Sequence, residues 1–162
     1  MKRVAGWGFR ATATRQSFAS CWARAMQSLG LHPVQQAQWL FAALDIKRDT
    51  VAMAEFNAWR AQAAPCASLV FYAGSEIRGI ETPSRSLRLL GRFGTGSVAE
   101  ALAAYGAGQR SFSCAPSEIR WLMPRVVSAD GCATLAIATG ISEPLRGILR
   151  ISRIHLLKGF ES

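Results

Sequence analysis

A chain of 162 residues, half of them apolar and 18% charged, is long enough to bury one core and too apolar for disorder. No apolar run reaches the roughly 18 residues of a membrane span. The basic start Met1-Lys2-Arg3-Val4 meets Gly6, Gly8, Arg10 and Arg15 without an apolar stretch, so a secretory signal is excluded and a cytoplasmic location expected.

The elements follow in chain order. Residues 3–9 read as a short buried strand ended by the turn Gly6-Trp7-Gly8-Phe9-Arg10-Ala11-Thr12. From Thr14 to Leu29, Phe18, Cys21, Trp22, Ala25 and Leu29 recur at three- and four-residue steps, which predicts an amphipathic helix stopping at Gly30. A second strand over 39–44 runs into Asp45-Ile46-Lys47, and a helix from about Thr50 to Gln62 is expected to bury Val51, Ala54, Trp59 and Ala63 or their neighbours. Ala67 to Ala73 is the clearest strand. The arginine-bearing stretch 75–93 reads as a surface loop with a short helical piece near 84–90. A second glycine turn, Gly94-Thr95-Gly96-Ser97, opens a third helix, with Ser97 and Glu100 as a capping box and an end near Gly106. Residues 119–127 and 132–138 form a β-hairpin across Ala129-Asp130-Gly131. This order predicts a single three-layer α/β/α domain over 1–140, with a mixed sheet and a C-terminal hairpin. Residues 141–162 are expected to form a basic extension packed on the same domain, helix and edge strand fitting equally well.

The charge of +9 rests on sixteen arginines and three lysines (Lys2, Lys47 and Lys158) against ten acids. Arginine grips carboxylate or phosphate with a planar two-donor fork. A GC-rich coding bias accounts equally for the choice of arginine, but not for the net charge. Both glycine turns lead into helix starts, where free amides and the positive dipole end favour an anion. Cys21, Cys66, Cys114 and Cys132 are widely spaced and read as reduced, buried thiols. With only His32 and His155 beside them, neither a metal site nor a cofactor is expected.

Five motifs in order carry a family resemblance: Gly6, Gly8 and Arg10; Asp45 and Lys47; Pro83 and Ser84; Gly94 to Ala101; and Ala133 to Ala138. Over residues 3–138 the chain resembles the CobE/CbiG C-terminal domain family of cobalamin biosynthesis. Because it opens directly at the first glycine turn, it is most similar to the free-standing CobE form of the aerobic pathway. The resemblance implies binding of an acidic precorrin or corrin intermediate, with other corrin-pathway enzymes as partners. A homodimer stays open, and no membrane partner is implied. The family's CbiG proteins are hydrolases that open a precorrin lactone and release a two-carbon fragment. The chain departs from the family pattern at Phe9, at Pro124-Arg125 and in the tail after Thr139.

The ligand-binding candidates are Gly6, Trp7, Gly8, Phe9, Arg10 and Thr12 at the first turn, and Gly94, Thr95, Gly96 and Ser97 at the second. A macrocycle fringed with carboxylates asks for an apolar wall with scattered arginine and N–H donors. Alternatively Gly6 and Gly8 serve only close packing, and Trp7 and Phe9 divide between core and rim instead of stacking on the ring. Asp45 and Lys47, at a strand end where α/β proteins place ligands, are the catalytic candidates if the protein is a hydrolase. Otherwise they are a capping and a solvated charge. Glu100 is assigned to the capping box in preference to acid catalysis. Nucleic-acid binding through the basic surface is the remaining reading, without a recognisable RNA-binding signature.

Overall fold

The computed structural model describes residues 3–31, 38–108 and 119–140. Its centre is a five-stranded mixed sheet built from β1 (Arg3–Phe9), β2 (Trp39–Leu44), β3 (Ser68–Tyr72), β4 (Ile119–Val127) and β5 (Ala133–Gly140), in the order β3-β2-β1-β5-β4. β1 pairs parallel with β2, and β2 with β3. β5 runs antiparallel to both β1 and β4, so Phe9 at the end of β1 lies opposite Ala133 at the start of β5.

Two helices, α1 (Arg15–Leu29) and α2 (Val51–Ala63), cover one face. α5 (Val98–Gly108) covers the other. The alternation of β1 and β2 feeds both layers: Ala5, Trp7, Phe41 and Ala43 join the first core, Val4, Leu40, Ala42 and Leu44 the second. The first core is aromatic, with the Trp7 ring 5.2 Å from Trp59 and 5.4 Å from Phe56 between centroids. The second is alanine-rich, because α5 lies almost on the backbone of β1. A methyl group on Gly6 would stand 2.0 Å from the Ala99 carbonyl oxygen, so no side chain fits there. The expected three-layer α/β domain with a mixed sheet and terminal hairpin is the observed architecture.

Local signals hold at the helix ends. At the start of α1 the Thr14 amide donates to the Ser17 hydroxyl at 3.0 Å, and Gly30 closes the helix in the left-handed region at φ 61°. Thr50 caps α2 by accepting from the Met53 amide at 3.2 Å. Four details differ from expectation. α2 buries Ala52, Met53, Phe56 and Trp59, while Val51 is 79% exposed, because the capping turn rotates the first helical residue to solvent. The stretch 75–93 is more structured than a loop, with α3 (Gly74–Ile77) and α4 (Leu87–Phe93) and a fully buried Ile77. Of the thiols, Cys21 is buried and pushed up to about 12 by desolvation, but Cys66 is exposed and Cys132 half-exposed. The capping box at α5 is half made: the Glu100 amide donates to the Ser97 hydroxyl at 3.4 Å, whereas the carboxylate is engaged elsewhere. His32, Cys114, His155 and the extension 141–162 lie outside the described residues.

Among the described residues, no helix is long and apolar enough to cross a membrane.

Candidate functional site

The parallel strands β1 and β2 end side by side, and both lead on to helices, α1 and α2, of the same face of the sheet. A cleft opens beyond those carboxyl ends, at the border between β1 and the antiparallel β5. Open α/β sheets bind ligands at such positions. Its volume is about 620 Å³, within the range of small-molecule and cofactor sites.

The first glycine turn forms one wall. Gly8 has no side chain, which leaves the space beside the start of α5 open: a Cβ there would stand 2.7 Å from the Thr134 hydroxyl and 3.6 Å from the Ala99 amide. Phe9 is partly buried, with its ring 5.3 Å from Phe18 and stacked on Phe56 at 6.1 Å, and it lines the cavity. The Arg10 backbone is anchored by its amide to the Cys132 carbonyl at 2.9 Å, while its side chain is exposed along the cleft. Thr12 also lines it, with its hydroxyl 3.6 Å from the Cys132 sulfur.

The end of β2 contributes Leu44, Ile46 and Lys47 through a 3-10 turn at Asp45–Lys47. Lys47 sits with its ammonium 5.5 Å from the Phe9 ring centroid. Its pKa is held below the usual lysine value, first by burial and then by the positive charge of Arg92. From α4 come Arg88, Leu89, Arg92 and Phe93, and from β4 Arg125. Five cations therefore line the cavity beside Phe9, Leu44, Ile46, Leu89 and Phe93, and no carboxylate is among the lining residues.

The candidates named from sequence divide accordingly. Gly8, Phe9, Arg10, Thr12, Lys47 and Ser97 lie along the one cleft. Trp7 borders it, but the residue is only 1% exposed and its ring belongs to the aromatic core. Gly6 is placed against α5. In the second turn, Gly94 ends α4 in the left-handed region at φ 68°. The Thr95 hydroxyl donates to the Ile80 carbonyl at 3.0 Å, and Gly96 is pressed against Ser84, whose carbonyl oxygen would be 2.4 Å from a Cβ. Asp45 is exposed and outside the lining, although Lys47, two residues on, is inside it.

Arg88, Arg92, Arg125 and Cys132 were not singled out from sequence. For the first two a signal exists: Arg88 and Arg92 are four residues apart, as are Leu89 and Phe93, which sets each pair on one side of a helix. Arg125 and Cys132 carry no local signal, since only the hairpin pairing of β4 with β5 brings them to the end of β1.

The family model for Cobalamin synthesis G C-terminus matches residues 3–138. Among solved structures, the chain is similar to CobE, a protein from the cobalamin (vitamin B12) biosynthetic pathway, with TM-score 0.67 and 20% identity over 87% of this chain and 91% of that one. The cobalamin biosynthesis protein chiG from Agrobacterium tumefaciens str. C58 superposes with TM-score 0.54 and 21% identity, over 86% of this chain and 99% of that one. For a cobalamin biosynthesis protein G homolog from Sulfolobus solfataricus the values are 0.56 and 16%, over 86% of this chain but only 37% of that one. At these identities the likeness speaks for the fold. No curated protein sequence matches the chain. With the family match running from the first residue of β1 into β5, this chain belongs to the Cobalamin synthesis G C-terminus family of cobalamin biosynthesis.

Proposed function

We propose that the cleft binds an acidic tetrapyrrole, a precorrin or corrin intermediate of cobalamin synthesis, through the carboxylates at the rim of the macrocycle. One observation carries this reading: Arg10, Lys47, Arg88, Arg92 and Arg125 come from four separate segments to a single cavity that has an apolar wall and no lining carboxylate. Cations gathered without counter-charges repel one another, and the lowered pKa of Lys47 reflects part of that repulsion beside the larger effect of its burial. A polycarboxylate relieves it, with guanidinium forks each taking one carboxylate. The apolar side chains Phe9, Leu44, Leu89 and Phe93 suit the flank of a partly apolar ring. The start of α5 adds donors: Ser97 and Val98 line the cleft where the first-turn amides of a helix lack intrahelical partners.

Binding is favoured over hydrolysis because Asp45, the candidate general base, stands outside the lining. The site offers cations for holding an anion and no carboxylate for activating water.

Titration with hydrogenobyrinic acid, a carboxylate-rich corrin, followed by visible absorbance, tests the proposal. Saturable binding with a spectral shift is expected. Arg10→Ala should weaken it by about 1 kcal/mol, some fivefold in Kd. Absence of binding at high micromolar ligand by a folded protein overturns the reading, and equal, steeply salt-dependent binding to random DNA would replace it with a nucleic-acid surface.

A further inference from the structure

The one fully buried acidic side chain among the described residues is Glu100, and it takes part in no ion pair among them. It accepts three hydrogen bonds instead: from the Ser84 amide at 2.8 Å, the Ser84 hydroxyl at 2.9 Å and the Arg125 amide at 2.9 Å. These donors lie far apart in sequence: Ser84 precedes Arg88 and Arg92 of the cleft, and Arg125 is itself one of its cations. Ser84 belongs to the segment that leads into α4, with Ser86 held by its amide on the Gly96 carbonyl at 3.0 Å.

Arg125 sits in a β-bulge. The β4–β5 register shifts between Met123 and Val126, whose partners Ile137 and Leu135 are only two residues apart. Such a bulge leaves an extra residue outside the ladder and re-aims side chains. Pro124 within it has no N–H to pair, and the Arg125 N–H is satisfied by Glu100.

We infer that Glu100 is a positioning residue: by tying the segment before α4 to the bulge at Arg125, it fixes the guanidinium groups of α4 and β4 on the walls of one cavity. This rests on the reading of that cavity as an anion site. The three donors explain why a carboxylate is required. A glutamine at this position keeps one carbonyl oxygen, but its NH2 group meets the Ser84 N–H donor to donor.

The test is a double-mutant cycle read by hydrogenobyrinic acid affinity, with amide hydrogen exchange as a ligand-independent measurement. Glu100→Gln is expected to weaken binding by about tenfold. In an Arg88→Ala, Arg125→Ala background the further loss from Glu100→Gln should fall below about twofold, and in an Arg10→Ala background it should remain in full. A loss below twofold in the otherwise unchanged protein, or the same loss in both backgrounds, overturns the inference. Exchange in peptides covering 82–90 and 120–127 should accelerate together in Glu100→Gln, with β1 and β2 unchanged; no acceleration, or acceleration in only one segment, also overturns it. If the unsubstituted protein fails to bind the corrin, the functional reading falls, and the exchange measurement alone decides the role of Glu100. Should Glu100→Gln not fold, Ser84→Ala removes one of the three bonds and is expected to cost about threefold, with the same dependence on background.

Discussion

Lys47 shows how its surroundings set the properties of a single side chain. Partial burial against Phe9 and the nearby charge of Arg92 lower its pKa, so the folded protein holds that proton less tightly than the unfolded chain does. The charged form is therefore destabilising below the folded pKa, and the effect disappears as pH rises to the unfolded value of 10.5. Lys47→Met, similar in length, should raise stability slightly at pH 7, by less than about 1 kcal/mol once solvent screening is counted. The same change should weaken corrin binding about fivefold. Thermal melts at pH 7 and above pH 10.5, paired with the absorbance titration, check both. A variant that melts lower at pH 7, or binds as well as the parent, contradicts this account.

At the scale of elements, β1 and α5 define the site by how closely they meet. Gly6 and Gly8 look alike in sequence, two members of one G-x-G turn, but their surroundings differ. At Gly6 a methyl group would collide with backbone, the Ala99 carbonyl at 2.0 Å and the Ala103 amide at 2.5 Å, and neither can move without shifting α5. Gly6→Ala should cost about 3 kcal/mol, measured as a fall in the denaturation midpoint. At Gly8 the obstacle at 2.7 Å is the Thr134 hydroxyl, which can rotate away and give up its 3.1 Å bond to the Gly8 carbonyl. Gly8→Ala should cost only about 1 kcal/mol and, on the proposed function, weaken hydrogenobyrinic acid binding, because its methyl group enters the space beside the α5 amides. Equal stability losses at the two positions would show that the β1–α5 contact is looser than described.

For the molecule as a whole, the β4–β5 hairpin must close against α1 for Cys132, Thr134 and Arg125 to reach the cleft. Asp130 at its tip fastens that contact, accepting from the Ser17 hydroxyl at 2.5 Å, the Ser128 hydroxyl at 2.6 Å and the Cys132 amide at 3.0 Å. The Ser128 and Ser17 bonds lead in holding its carboxyl at about 2, down from 3.8. Because the folded pKa is the lower one, the stabilisation is present above pH 4 and is lost as pH falls through about 2. Asp130→Asn should melt lower than the parent at pH 7, with the gap closing between about pH 4 and pH 2. A gap that persists unchanged to pH 2 would separate the hairpin contact from the charge of Asp130.

Much of this molecule was legible along the chain. Periodicity and capping residues located the principal strands and helices, and Ala129-Asp130-Gly131 marked the hairpin, because such signals depend on neighbours within a few residues. The motif order identified the family, and Gly8, Phe9, Arg10, Thr12, Lys47 and Ser97 were picked out as residues that do border the cleft. Tertiary structure alone decided the rest. It sent Trp7 into the core and Lys47, but not Asp45, into the cavity, since the two lie two residues apart in a 3-10 turn and so on different sides of it. It turned Glu100 from a local cap into a link between residues 84 and 125, and brought Arg88, Arg92 and Arg125 to Arg10. Those meetings depend on strand order and on one bulge in β4, which arise from packing across the whole sheet and leave no trace in local spacing.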